Sequence, residues 1–261
     1  MKIEFILPKV KSFDNKEMRR SIGLEHPPQP AKNFISEEYK NLINYEDSDL
    51  RKPTVKKCMP FLDAMASGYI IPFFQDYLIT MDYEKKEWDV RTNFYSPQVH
   101  SSQQLPKNYQ DGVKPIGKFA NKWIIKTPPG YSCLFVHPMN TPKTDFEIIS
   151  GVVDTDTYED TVLFPYYFKR YDDNKKKVQQ VPLELGEKVQ QVPLELETSS
   201  RVQVHLELGT PMVQVIPFKR ENWKSESKVK VEENIGKWRN NWAGRLIDSY
   251  KKLYWQKKHY D

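Results

Sequence analysis

The sequence predicts a mainly β protein that ends in an amphipathic helix. Six short apolar or alternating runs follow one another between Asn121 and Arg220, each bounded by Pro, Gly, Asp or Asn. Strands at that spacing indicate a sandwich or barrel-like unit. Aromatic residues make up 13% of the 261 residues, which argues against disorder because disordered chains are poor in them. After Trp223 apolar residues recur at steps of three and four, the helical period.

Residues 1–55 read as an irregular N-terminal arm. "EHPPQPAKNF" holds three prolines, whose fixed φ and missing N–H suit neither a helix nor a central strand. "SEEYKNLI" has a capping serine, Ser36, and an acidic first turn, so a short helix is expected there. Residues 56–120 read as a mixed helix and strand segment packed on the core. "PFLDAMASG" suits a helix with Pro60 near its start and Gly68 at its end. "YIIPFFQDYLITMDY" is aromatic and β-branched and predicts strand, with Pro72 at an edge or bulge. Residues 85–120 read as loop.

The strands of the 121–220 domain are expected in "KWIIKT", "GYSCLFVHP", "EIISGVVD", "TVLFPYYFKRY", "RVQVHLEL" and "PMVQVIPFKR". One of these belongs to a repeat. "KVQQVPLELGE" at Lys177 is followed by "KVQQVPLELET" at Lys188, and "RVQVHLELGT" at Arg201 is a diverged third copy. The third copy places Val202, Val204, Leu206 and Leu208 on one face and Gln203, His205 and Glu207 on the other, the pattern of a half-buried strand. Pro182 and Pro193 each remove a ladder donor from the first two copies. Residues 177–197 therefore read as a tandem insertion in an edge hairpin or surface loop.

Residues 221–261 read as the basic amphipathic helix. Ile235, Trp238, Trp242, Leu246, Tyr250 and Leu253 form its apolar stripe between Val231 and Lys258, with Gly236 and Gly244 as weak points. From Lys219 onward there are twelve Lys or Arg against six Asp or Glu, so the net charge of +5 belongs to this segment and the rest of the chain is near −1. Trp238, Trp242, Tyr250, Lys251 and Lys252 are the candidate partner-binding residues. Lys and Arg interleaved with aromatics also suit nucleic acid. The tryptophans lie on the apolar stripe, however, and packing on a core or a second subunit is favoured. Glu232, Glu233 and Asp248 interrupt the basic face, which counts against a membrane surface.

Two cysteines, Cys58 and Cys133, are too few for a disulfide framework or a zinc site. No apolar run approaches the roughly 20 residues of a membrane helix. "MKIEFILPKVK" lacks the length and cleavage site of a signal peptide. A virion or host cytoplasm location, without secretion or a membrane span, is expected.

Three segments come in a telling order: "PPGYSCLFVHP", then "GVVDTDTYEDTVLFPYYF", then "LELGTPMVQVIPF". They resemble the Pro-Gly-Tyr strand, the Gly-Val-Ile-Asp turn and the Gly-x-x-x-x-Gln-Leu strand of the dUTPase and dCTP deaminase family, over roughly residues 121–220. The resemblance implies a β-clip fold assembled as a trimer, with nucleotide sites between subunits and Mg²⁺ as the metal. It places Asp154 on the aspartate that orients the attacking water. Tyr158 falls near the aromatic that stacks on the sugar, one residue later than in the family. Gly151 and Gln214 fall on nucleotide-binding positions. The family's phosphate-gripping Arg-Ser, which should follow Pro138, is Met139-Asn140 here, and its C-terminal Gly-Ser-Thr lid is missing. An arginine entering from a neighbour, Arg170 or Arg220, would supply the lost cation. "KKCMPFLDAMASGYIIPFFQDY", "TPPGYSCLFVHPMN" and "GTPMVQVIPFKRENWK" also resemble a family encoded by tailed marine bacteriophages, to which no activity attaches.

Two functions follow. The favoured one is a non-catalytic homo-oligomer, expected as a trimer, that serves a phage as a virion or assembly component without a cofactor. Other virion proteins are then its partners. The alternative is a divergent deoxynucleoside triphosphate pyrophosphatase using Asp154 and Tyr158. Asp154 also reads simply as a turn aspartate bonding its own backbone. Asp154, Asp156 and Asp160 suit a hard cation, but no calcium-loop glycine accompanies them. His137 and His205 lack zinc-site spacing.

Overall fold

The computed structural model describes residues 1–8, 24–49, 52–82, 87–92, 98–99, 116–141, 144–168, 201–229 and 249–261. The repeated segment 177–197, Arg170, Trp238 and Trp242 lie outside them. In chain order the first strands are β1 (Glu4–Ile6), β2 (Gln29–Pro30), β3 (Tyr69–Pro72), β4 (Tyr77–Asp82), β5 (Glu87–Thr92), β6 (Gln98–Val99) and β7 (Gly117–Phe119). They are followed by β8 (Ile124–Lys126), β9 (Tyr131–Val136), β10 (Phe146–Ile148), β11 (Gly151–Val153), β12 (Phe164–Phe168), β13 (Arg201–Leu206) and β14 (Pro211–Lys219). The α-helices are α1 (Glu37–Asn41), α2 (Met59–Ala66) and α3 (Ser249–Leu253).

The chain is mainly β, as expected, and every strand pairing is antiparallel. One sheet runs β11-β9-β14-β3-β2 and a second β10-β12-β7-β6; β13-β4-β5 and β1-β8 complete the set. All six expected strand regions of the 121–220 stretch form strands, and "EIISGVVD" supplies two of them, β10 and β11. In β13, Val204 and Leu206 are buried while Gln203 faces solvent, the alternation that predicted it.

The expected helices of the N-terminal half are present. Ser36 caps α1, its Oγ accepting from the Tyr39 amide at 3.2 Å. Pro60 lies in the first turn of α2, and Gly68 at φ +70° turns the chain out of it. A Cβ at Gly68 would sit 2.0 Å from the Val215 carbonyl oxygen, so only glycine fits against β14.

Three expectations change. First, the boundary at residue 120 is no boundary in the sheets: β3 pairs with β14, β4 with β13 and β7 with β12. The strands of 69–82 alternate between two buried or half-buried faces, and such strands need ladders on both flanks. The N-terminal arm is woven in too, with β1 on β8 and β2 on β3. Second, the stretch expected as loop at 85–120 contains β5, β6 and β7. "EWDVRT" alternates over only six residues, a signal easily lost between polar flanks. Third, of the helix expected over 231–258, residues 231–248 lie outside the described ones; Ser249–Leu253 are helical, and residues 254–258 are not. The chain leaves the helix because its last residues have tertiary partners. Trp255 Nε1 and Lys258 Nζ both donate to Asp63 Oδ2 of α2, at 2.9 and 2.6 Å. Lys32 holds Asp261 at 2.8 Å, and Tyr260 meets Tyr69 edge-on.

The core is aromatic. Phe119 of β7 stacks on Tyr166 of β12 at 3.6 Å with the rings 8° apart, and Phe73 meets Phe119 edge-on at 4.8 Å. Gly117 stands opposite Tyr166 in the register, and a Cβ there would lie 2.4 Å from the tyrosine ring. The ring fills the space that a side chain at residue 117 would take.

Candidate functional site

The "GVVDTDTY" segment forms the edge strand β11 and the turn after it. The Asp154 carbonyl oxygen accepts from the Thr157 and Tyr158 amides at 3.1 and 2.9 Å, closing the turn. The turn is anchored from below. Thr155, fully buried, donates to Cys133 Sγ at 3.3 Å and shares a 2.8 Å hydrogen bond with Thr127. Burial pushes the Cys133 thiol up to about 11.

Arg220, the residue after β14, organises the polar side of this turn. Its backbone amide donates to the Gly130 carbonyl at 2.8 Å, which fixes the side chain over β9. Nη1 donates to Asp156 Oδ1 at 2.9 Å while Nη2 donates to Asp156 Oδ2, a fork on a fork. Nη1 also lies 3.1 Å from Asp154 Oδ1, 3.0 Å from Ser132 Oγ and 3.1 Å from the Tyr131 carbonyl oxygen. One NH₂ group with two hydrogens therefore serves four oxygens. The Ser132 hydroxyl passes its own proton on to Asp154 Oδ1 at 2.6 Å.

The two aspartates differ in exposure. The Asp156 side chain is 6% exposed and that of Asp154 is 61% exposed. The Arg220 hydrogen bond first, and the Gly130 amide at 2.8 Å second, hold the Asp156 carboxyl down at about 2. Arg220 is raised in turn, chiefly by its hydrogen bond to Asp156. Asp154 turns one oxygen to Ser132 and Arg220, and its Oδ2 has no partner among the described residues. That oxygen, on a side chain 61% exposed, is free to accept a bond from a ligand or water.

Arg220 thus enters the site from the same chain rather than from a neighbour, and its guanidinium is engaged by carboxylates. Ser132 and Asp156 complete the clamp, and sequence reasoning missed both in this role. The available signal was a cation directly after the last apolar strand, facing a turn with two aspartates. Asp160 stays out of the cluster, its Oδ1 accepting from the adjacent Thr161 amide at 2.6 Å. No group of three or more His, Cys, Asp or Glu able to hold a metal occurs among the described residues.

Gln214 lies elsewhere, 1% exposed beneath α2. Its Nε2 donates to the Ala64 and Ser67 carbonyls at 2.9 and 2.6 Å, and its Oε1 accepts from the Met139 amide at 2.9 Å. Both donors of the amide are used inside the chain. Asn140, at φ +54°, donates to the Phe61 carbonyl at 3.2 Å. The turn where the resembled family keeps Arg-Ser is therefore roofed by α2. The cleft left between Phe34, Met65, Met139 and Gln214 has a volume of about 30 Å³, room for water.

Gly151 lies at the open edge, where an added Cβ would meet nothing within 4 Å. Tyr158 is 42% exposed, and its carbonyl accepts from Lys126 Nζ at 2.7 Å. His137 bonds Thr144 at 2.8 Å and the Ile148 amide at 3.4 Å. His205 sits on a different sheet beside Asp76 and Glu207, so the two histidines have separate partners. Tyr250, Lys251 and Lys252 on α3 are all exposed. No helix among the described residues is long and apolar enough to cross a membrane.

No family model matches the chain, and no curated protein matches it in sequence. Among solved structures it is similar to the dUTPase from phage phi11 of S. aureus, at 13% identity and a TM-score of 0.30, over 79% of this chain and 97% of that one. It is likewise similar to the dUTPase of Staphylococcus bacteriophage 80alpha, at 14% identity and a TM-score of 0.32, over 64% of this chain and 85% of that one.

Proposed function

We propose that the chain is a non-catalytic, homo-oligomeric β-clip protein of a bacteriophage, serving as a virion or assembly component. The observation that supports it most is the roof over Met139-Asn140. Phosphoryl groups need cations or an aimed set of backbone amides. At this turn the Met139 amide is taken by Gln214, the described residues lining the cleft include no cation, and Asn140 is tied to α2. The Asp154 clamp supports the same reading. An arginine that could grip phosphate is bound by two aspartates of its own chain.

One observation favours the alternative, a divergent deoxynucleoside triphosphate pyrophosphatase. Asp154 Oδ2 is unpartnered among the described residues, and Val152 and Tyr158 beside it are open to a second subunit. The described residues do not fit a protein-held Mg²⁺, because Asp156 spends both oxygens on Arg220 and Asp160 accepts from the Thr161 amide.

Pyrophosphate release from a panel of deoxynucleoside triphosphates, measured with Mg²⁺ beside an Asp154→Asn control, separates the two. The proposal expects no turnover from folded, oligomeric protein. Turnover abolished by the control would overturn it. The presence of the chain in peptide maps of purified virions would support the virion role.

A further inference from the structure

The chain from Tyr250 to Tyr260, "YKKLYWQKKHY", carries four lysines and a histidine without a single Asp or Glu. Its helical spacing sets Tyr250 on the apolar stripe, yet in the structure that residue is 44% exposed, and Tyr254 is 61% exposed. The Tyr250 carbonyl accepts from the Tyr254 amide at 3.0 Å, so the two tyrosines stand one turn apart on one side of α3. Neither ring meets another ring among the described residues. A single exposed aromatic is ordinary, but a pair in register among cations is the pattern of a binding surface.

The lysines around the rings are open too. Surface lysines elsewhere, such as Lys40, Lys219 and Lys228, sit beside a carboxylate. Lys251 and Lys252 are exposed and have no partner among the described residues. Lys257, also exposed, lies near Asp261, but Lys32 already holds that carboxylate at 2.8 Å. Asp63 is likewise spent, on Lys258 and Trp255. These same contacts anchor the segment. Trp255 and Lys258 are bound to α2, and Tyr260 meets Tyr69 edge-on at 6.1 Å. Two open rings and three exposed cations are thus carried on a fixed support.

We infer that this surface binds single-stranded nucleic acid, with bases stacked on Tyr250 and Tyr254 and phosphates drawn to Lys251, Lys252 and Lys257. Residues one turn apart are separated by about 6 Å along the helix, a spacing at which two rings take successive unpaired bases. In a duplex the base faces are already stacked on their neighbours and offer the rings nothing. A membrane surface asks for a broad apolar face. Here the exposed apolar side chains are the two tyrosines, each with a polar tip. Binding at α3 needs neither the oligomer nor Asp154, so it holds whichever role the turn after β11 has.

Fluorescence anisotropy of a labelled oligothymidylate of about 15 nucleotides, titrated with the full chain, tests this. With three lysines on phosphates, log K should fall against log salt with a slope of about −2. Lys251→Gln and Lys252→Gln together should flatten that slope to about −0.7. Tyr250→Ala and Tyr254→Ala should each weaken binding about tenfold and leave the slope unchanged. Tyr254→Phe keeps the ring and should bind as the wild type does. All of these positions are exposed, so every variant should keep the wild-type circular dichroism. Absence of binding at low salt, or an affinity that survives both alanine variants, overturns the inference. So does tighter binding to a duplex of the same length or to phosphatidylserine vesicles.

Discussion

Arg220 and Asp156 form a two-pronged ion pair that joins the end of β14 to the turn after β11. Because Arg220 and Gly130 hold the Asp156 carboxyl at about 2, below the 3.8 of a free aspartate, the pair contributes stability that is fully present above pH 4. It is lost as pH falls towards 2. Urea midpoints measured from pH 5 to pH 2 should decline through this window, and Asp156→Asn should be less stable at pH 5 with a flatter decline.

The buried amide of Gln214 predicts a stability effect. Gln214→Leu leaves the Ala64 and Ser67 carbonyls and the Met139 amide without their partners. Buried groups stranded in this way should cost about 2–4 kcal/mol in urea denaturation. A variant of wild-type stability would mean that this amide faces a ligand instead.

Gly117→Ala should destabilise the fold by about 1–3 kcal/mol, because the new methyl collides with the Tyr166 ring. The same ring predicts a gain. Burial pushes the Tyr166 phenol well up, and its hydroxyl has no hydrogen-bond partner among the described residues. Tyr166→Phe keeps the stack on Phe119 and removes the stranded hydroxyl, so thermal melting should show stability raised by about 1 kcal/mol.

Asp63→Ala should free the C-terminal tail without unfolding the protein. Trp255 and Lys258 lose their shared acceptor. Tryptic cleavage after Lys257 or Lys258 should quicken by about tenfold, the equivalent of roughly 1.4 kcal/mol of local holding. Unchanged cleavage would show that Tyr260 and Asp261 suffice to hold the tail.

The strands of 121–220 were legible because each carries its own alternation and its own punctuation. β5 and β7 were not, since three to six residues between polar flanks make a weak periodic signal. The C-terminal stripe misled at its end for a different reason. Helical spacing continues through Leu253, but the fate of Trp255 and Lys258 was decided by Asp63, 192 and 195 residues away. At the site, the sequence marked Asp154 and the missing Arg-Ser. It did not mark Ser132, and it marked Asp156 only as a candidate ligand for a hard cation; their roles in the clamp depend on how β9, β11 and β14 lie side by side. Gln214 fell on a family position, yet both acceptors of its Nε2, the Ala64 and Ser67 carbonyls, lie at the end of α2, outside the resemblance.

The pairing of β3 with β14 sets a timetable for synthesis. β3 is made early but has only the two-residue β2 beside it until residues 211–215 emerge from the ribosome. At about 5–20 residues per second, that wait lasts on the order of ten to thirty seconds. Through it, Ile70 and Ile71 of β3 lack their β14 neighbours on the nascent chain, a long exposure to chaperones. Steady production of this protein therefore depends as much on protection of its first third as on the stability of the finished sheet.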